Sequence, residues 1–170
     1  MKKLCIWVMI ISSLLLVSCD NQDIYKNHAY HFQINKPKGY QLIKTGLEIA
    51  TATYFLKKDF ATISITPVAY VLREHKKNID FVQENIKGFV GGVKENEGVD
   101  LQVLENLKTK YINGNQWYTI TFGHSVRDIK YVLCYTFFKD YFYVATFYTR
   151  PEYEEKQFWD TLSTFKILNN

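Results

Sequence analysis

This sequence has few cysteines and few prolines, and it carries no large excess of either positive or negative charge. Its 170 residues include three cysteines and three prolines, and the formal net charge at pH 7 is +4. So few cysteines exclude a disulfide-dense scaffold, and no proline-rich stretch marks a boundary between two domains. The small net charge argues against a nucleic-acid-binding protein, which usually carries a concentrated basic patch.

Apolar and aromatic side chains are plentiful by contrast. Hydrophobic residues make up 47% of the chain and aromatic residues 16%, while charged residues make up 22%. This balance is typical of a globular protein and argues against a fully disordered one. Because there is neither an internal repeat nor a low-complexity tract, the sequence predicts one folded domain.

The N-terminus has the order of a bacterial export signal. Two lysines precede an apolar run at residues 4–16, which is too short and too early for a transmembrane helix. The run ends in Leu-Val-Ser-Cys, which resembles a lipobox, the motif whose cysteine thiol receives diacylglycerol. We therefore predict a lipoprotein signal peptide over residues 1–18 and lipidation of Cys19. An ordinary secretory signal and a buried core helix are the alternatives.

Processing before Cys19 changes the composition. The mature chain would have 152 residues with 19 basic and 17 acidic side chains, and Cys134 would be its only unmodified thiol. No intrachain disulfide could then form, so stability would depend on packing. A domain of ~150 residues buries roughly 70% of its unfolded surface, which is enough for a stable core.

The expected location is the extracytoplasmic side of a cell membrane, with acyl chains on Cys19 held in the lipid bilayer. Asp20 resembles the inner-membrane retention signal of enteric bacteria. Residues 19–28 are predicted to be the lipidated cysteine and a polar linker, and residues 29–170 the folded domain. As a coil, the 11 residues from Asp20 to Tyr30 would span roughly 18 Å, so the domain would sit close to the bilayer.

The first part of the predicted domain consists of strands and turns. Alternating apolar and polar residues predict strands at residues 31–34, 50–56 and 60–68, the last with one polar face. Pro37 predicts a turn after the first strand, and the residues 57–59 predict a hairpin turn between the other two. Pro67 indicates that the third strand ends at a sheet edge or a bulge.

Apolar steps of three and four residues then predict a helix over residues 79–94. Asn78 is its candidate N-cap. Three glycines weaken its C-terminal half, which predicts fraying into a loop at residues 95–98, with close packing or a hinge as the alternatives. The predicted buried face consists of Ile79, Val82, Ile86, Phe89 or Val90, and Val93.

A meander and a second helix complete the predicted domain. Strands are predicted at residues 101–111, 116–122, 130–138 and 141–148, and the last two are apolar on both faces, as central strands are. Asn113-Gly114 is the strongest hairpin signal in the chain. Residues 149–152 match a capping box, and Phe158, Leu162 and Phe165 predict the buried face of the helix that follows. The predicted fold class is α+β, a central antiparallel β-sheet flanked by helices.

Two segments resemble a known family. The opening YHFQINKPKGYQL is similar to the F-x-I-x-x-P-x-G-W start of PsbP-like domains and DcrB-type bacterial lipoproteins. The ending YFYVATFYTRPEYEEKQFWDTLSTFKI is similar to their last strand and helix. Tyr40 stands where the family has tryptophan, and Thr164 where it has serine. The resemblance covers about residues 29–168 and implies a PsbP-like α/β/α sandwich with an accessory or partner-binding role and no catalytic residues.

Candidate reactive groups are few. His124, Ser125 and Asp128 are the residue types of a hydrolase triad, but a triad usually draws on separate elements of the fold. No G-x-S-x-G elbow is present, so we interpret the three as a polar hairpin end and predict no catalytic residue. A reactive thiol needs an electropositive and exposed setting, whereas the parity of Cys134 predicts a buried position.

Ligand sites are equally sparse. Metal sites need convergent ligands, and His28 and His31 lie beside the linker, so neither a metal nor a cofactor is predicted. Arg73, Lys76 and Lys77 form a small basic cluster that fits either anionic headgroups or a solvated loop.

The aromatic density of residues 131–148 is the most unusual feature. It fits either a packed core or an aromatic-lined pocket. We therefore predict a non-enzymatic envelope lipoprotein that binds a protein partner and no nucleic acid. A carrier of a small apolar ligand is the alternative.

Overall fold

Two antiparallel sheets dominate the computed structural model, which describes residues 24–43, 53–57, 61–69, 78–138, 141–150 and 155–168. Within these residues the helices are α1 (Asn78–Glu97) and α2 (Lys156–Leu162). The strands are β1 (Ile24–Asn27), β2 (Phe32–Asn35), β3 (Gln41–Ile43), β4 (Thr53–Lys57), β5 (Ala61–Ala69), β6 (Leu101–Ile112), β7 (Asn115–His124), β8 (Lys130–Phe138), β9 (Tyr141–Thr149) and β10 (Lys166–Ile167).

The larger sheet has seven strands in the order β3-β4-β5-β9-β8-β7-β6. The meander from β6 to β9 pairs consecutively, and β5 then joins it by pairing with β9, with Ile63 opposite Phe147. Strands β8 and β9 therefore have a neighbour on each side, which confirms that they are central. The smaller sheet has the order β1-β2-β10.

The two faces of the larger sheet are covered by different layers. On one face, β2, α2 and the turn that follows α2 bury Phe32, Phe158 and Phe165 against Trp117 and Phe147. The other face is covered by α1, whose Val82 is fully buried in a second core with Phe122, Leu133 and Phe142. Both cores follow from the alternation in β8 and β9, because a strand with apolar residues of both parities must be covered twice.

Strand β1 lies within the segment that the sequence predicts to be a linker. It pairs with β2, and the Tyr25 ring lies 5.9 Å from the Phe32 ring. The segment resembles a polar linker because its outward side chains, among them Lys26, are exposed. The strand predicted at residues 31–34 is found as β2, which lies between β1 and β10 in the smaller sheet.

The turn predicted at Pro37 is present and is followed by a short strand that the sequence did not indicate. The Tyr40 amide donates to the Pro37 carbonyl, and Gly39 has a φ of 81°. Strand β3 then pairs with β4. Three residues are too few for periodicity to show, so only pairing reveals this strand.

Helix α1 is longer than predicted, because it continues through its glycines to Glu97. Its buried face is the predicted one, with Val82 fully buried and Ile86 and Phe89 half-buried. Gly98 ends it with a φ of 68°, and the Gly98 amide donates to the Lys94 carbonyl. The helix thus ends at a glycine in the left-handed backbone conformation, and the three interior glycines do not fray the helix.

Only the first two positions of the predicted capping box at residues 149–152 are described. Thr149 is the last residue of β9, and its hydroxyl donates to the Arg150 carbonyl. Helix α2 begins at Lys156 after Glu155, which makes no side-chain cap. Thr149 pairs with Lys130 in the sheet. Pro151 and Glu152 lie outside the described residues.

Candidate functional site

The hairpin end that carries His124 folds against the end of α1. Leu101 pairs with His124, which brings the start of β6 and the end of α1 beside this turn. The His124 side chain is only 1% exposed, and its Nε2 lies 3.4 Å from Oε2 of Glu97. Arg127 Nη1 lies 3.1 Å from the same carboxylate oxygen.

Hydrogen bonds determine the state of the His124 ring. Nδ1 accepts from the backbone amides of Val126 at 3.2 Å and Arg127 at 2.9 Å. A nitrogen that accepts carries no proton, so the neutral ring has its proton on Nε2, facing Glu97. The ring therefore has no lone pair free to act as a general base.

The three residues of the hypothetical triad are not brought together. Ser125 and Asp128 are exposed, whereas the described contacts of His124 go to Glu97 and to backbone amides. Sequence reasoning missed Glu97, which lies 27 residues earlier. The sequence did contain a signal for this contact. The connection between α1 and β6 is short, so the end of α1 lies near the strand end that carries His124.

Cys134 occupies the buried position that its parity predicts. The side chain is 0% exposed and lies in the core that includes Phe158 and Leu162. Burial raises the pKa of the thiol well above its usual value. The thiol is therefore protonated at neutral pH and acts as a small apolar core residue.

The described histidines do not form a metal site. His28 is exposed, and His31 is half-buried at the turn between β1 and β2 with a φ of 53°. Over the described ranges, no three side chains of histidine, cysteine, aspartate or glutamate converge. His75 lies outside these ranges, as do the basic cluster at Arg73, Lys76 and Lys77, the signal segment and Cys19.

The aromatic side chains of β8 and β9 pack mainly on one another and on the covering layers. Tyr135 stacks on Phe142 at 5.9 Å, and Phe147 stacks on Phe158 at 5.2 Å. The Tyr143 hydroxyl donates to the Tyr30 carbonyl at 2.8 Å, and burial raises the pKa of Tyr143 to about 12. The aromatic side chains thus hold the layers together through ring-to-ring contacts, as offset and edge-on aromatic pairs do in protein cores.

Large apolar side chains are exposed on β6, which ends the seven-stranded sheet. Val103 and Leu104 are each 54% exposed and Tyr111 is 77% exposed. Register shifts between residues 103 and 108 distort the strand, and Lys108 and Glu105 form an ion pair there. Such bulges and charges protect an edge against indiscriminate pairing. In the part of the chain described, no helix is long and apolar enough to cross a membrane.

Comparisons with known proteins identify the architecture. No family model and no curated protein sequence matches the chain. Among solved structures, cyanobacterial PsbP (CyanoP) from Synechocystis sp. PCC 6803 aligns with a TM-score of 0.67 at 15% identity. The alignment covers 89% of this chain and 98% of that protein.

A second similar structure is a protein from Bacteroides thetaiotaomicron, with a TM-score of 0.56 at 12% identity. It matches 87% of this chain but only 49% of the Bacteroides protein. Identities this low show a shared fold and not a shared function. The fold expected from the sequence resemblance is confirmed: this chain has a PsbP-like α+β fold.

Proposed function

We propose that this chain is a membrane-anchored bacterial lipoprotein that acts as a non-enzymatic, partner-binding module in the cell envelope. The lipobox-like segment at residues 16–19 supports the anchor. Acyl chains on Cys19 would hold the domain at the membrane without a spanning helix. The sequence resemblance to DcrB-type lipoproteins supports the same assignment.

The observation that carries the partner-binding role is the set of exposed apolar side chains on the edge strand β6. Val103, Leu104 and Tyr111 account for three of the five large hydrophobic side chains found exposed among the described residues. An edge strand also offers unpaired backbone groups to a partner strand. Exposed apolar side chains at a sheet edge are a liability unless a partner covers them.

The alternative of an apolar-ligand carrier receives less support. A carrier would keep aromatic side chains free to line a cavity. Here Tyr135, Phe142, Phe147 and Phe158 are fully buried in ring-to-ring contact. Organic extraction of the purified protein followed by mass spectrometry separates the two roles, since a carrier would release a stoichiometric apolar molecule.

The anchor is tested by replacing Cys19 with serine. The substitution removes the thiol that receives lipid, so the variant should leave the membrane fraction or accumulate unprocessed. Intact mass of the parent protein should show acylation at Cys19. A serine variant that is still processed, acylated and membrane-bound would overturn the assignment.

The partner role is tested by site-specific photo-crosslinking in cells. A photoreactive residue at Leu104 should give one discrete adduct with another envelope protein, and the same residue at Lys87, exposed on α1, should not. The change Val103→Asp should abolish the Leu104 adduct while leaving the melting temperature unchanged. Equal crosslinking from Leu104 and Lys87 would contradict the proposal.

A further inference from the structure

The outward face of the small sheet carries a row of lysines. Lys26 and Lys166 both pair with Gln33, one from each side, so the three side chains lie in line across the sheet. Strands are about 4.8 Å apart, which places the two lysine positions about 10 Å from each other. We name this surface the basic face; its outward residues are Ile24, Lys26, Gln33, Asn35 and Lys166.

The basic face is exposed and lacks acidic side chains. Lys26, Asn35 and Lys166 are exposed, and Ile24 is 41% exposed. The opposite side of the same sheet is apolar, since Phe32 and Ile34 are fully buried. The small sheet therefore packs against the domain through its apolar side and leaves its basic side open to an external charged surface.

Two more lysines follow directly after β2. Lys36 is half-buried and Lys38 is exposed. No described ion pair involves these lysines or the two of the basic face. Asp20 and Asp23 are the acidic residues of the preceding segment, so positive charge remains in excess here.

The position of β1 sets how far this face can lie from Cys19. Ile24 is the fifth residue after Cys19, and five extended residues span at most roughly 18 Å. If the segment up to Tyr30 were a coil, the domain could turn freely. Because β1 begins at Ile24, the described chain starts at the edge of the basic face itself.

We propose that the basic face rests on anionic phospholipid headgroups, with Lys26 and Lys166 contacting phosphate groups and Ile24 entering the interface. The proposal rests on lipidation of Cys19 and adds an orientation to it. Lysines close to an anionic bilayer are attracted to it within a Debye length, about 8 Å at physiological ionic strength. Helix α1, on the other face of the seven-stranded sheet, would then point away from the membrane.

The test uses full-length protein that is processed in a bacterium and purified from membranes in detergent. Its intact mass first reports whether Cys19 is acylated. The protein is then reconstituted into vesicles of phosphatidylcholine alone or of an equal mixture with phosphatidylglycerol. A water-soluble amine reagent modifies lysines, and peptide mass spectrometry compares Lys26 and Lys166 with Lys87 on α1.

Modification of Lys26 and Lys166 should be several-fold slower in the anionic vesicles than in the neutral ones, while Lys87 should react equally in both. Raising the ionic strength to about 1 M, where the Debye length is ~3 Å, should remove the difference. The double variant Lys26→Glu/Lys166→Glu should lose the lipid-dependent protection of Lys36 and Lys38, whereas the charge-matched control Lys87→Glu/Lys94→Glu should retain it.

The outcomes separate the orientation from the anchor. An acylated protein whose basic-face lysines react equally in both vesicles overturns the orientation and leaves the anchor intact. An unmodified Cys19 overturns the anchor, and the orientation that rests on it, whatever the labelling shows. Protection of Lys87 equal to that of Lys26 also overturns the orientation.

Discussion

The side-chain amide of Asn113 donates a hydrogen bond of 2.8 Å to the carbonyl of Phe165, 52 residues later in the chain. Asn113 and Gly114 have φ angles of 49° and 78°, as a type I′ turn requires. One side chain therefore shapes the β6–β7 hairpin and also fixes the segment that follows α2. The hairpin was predictable from the Asn-Gly pair, but its second contact was not.

Two substitutions separate these roles of Asn113. Asn113→Gly keeps the left-handed backbone and removes the bond to Phe165, so the free energy of unfolding should fall by about 1 kcal/mol. Asn113→Ala also adds backbone strain of about 1–2 kcal/mol. Urea unfolding of the chain beginning at Asp20 measures both. Equal stability of the two variants would contradict the strain at this position.

His124 should be structurally important and Ser125 should not. His124→Ala removes a side chain that is 1% exposed together with its bonds to two backbone amides, and each lost bond should cost about 1 kcal/mol. Ser125→Ala, on an exposed side chain, should change the free energy of unfolding by less than about 0.5 kcal/mol. Chemical denaturation compares the two variants with the parent protein.

The same turn tests the absence of catalysis. The double variant Ser125→Ala/Asp128→Ala should fold and should leave any cellular phenotype unchanged, because neither side chain contacts His124 in the described network. Loss of function in this variant, with an unchanged melting temperature, would favour the hydrolase interpretation.

Helix α1 should tolerate a carboxylate on one face only. Ile86 packs against the core that holds Val82, so Ile86→Asp places an unpaired charge beside apolar side chains and should cost several kcal/mol, on the order of 2–7. Gln83→Asp, on the exposed face of the same helix, is the control and should be nearly neutral. Thermal melting distinguishes them, and similar melting temperatures would refute the orientation of the helix.

Stability should decrease at alkaline pH through Tyr131. Burial, aided by the negative charge of Glu97, raises the pKa of Tyr131 from 10.0 to about 12. The unfolded chain loses the Tyr131 proton at lower pH than the folded chain does. The contribution of Tyr131 to stability is therefore complete below pH 10 and is lost between about pH 10 and 12. Tyr131→Phe should flatten the fall in unfolding free energy over that window. An unchanged pH profile in the phenylalanine variant would assign the effect to other groups.

Strand β1 should belong to the folded unit. A chain beginning at His28 lacks the β1 ladder and the contact of Tyr25 with Phe32, and it should unfold at lower urea concentration than one beginning at Asp20. Tyr25→Ala in the longer chain isolates the ring contact from the ladder. Identical unfolding of both chains would restore the prediction that residues 19–28 are only a linker.

The sequence by itself determined what depends on neighbours along the chain. The periodicity of residues 79–94 predicted the buried face of α1, double-sided apolar patterning predicted central strands β8 and β9, and Asn113-Gly114 predicted the hairpin. Each is a local signal that burial reinforces, because the same side chains that set the pattern also form the core.

Tertiary structure decided what depends on pairing across long separations. The pairing of β5 with β9 and the contact of Glu97 with His124 both involve partners far apart in sequence. Their free energy comes from backbone ladders and buried contacts that exist only once the chain has closed long loops. Local patterning therefore predicted the strands themselves but not which of them are neighbours in the sheet.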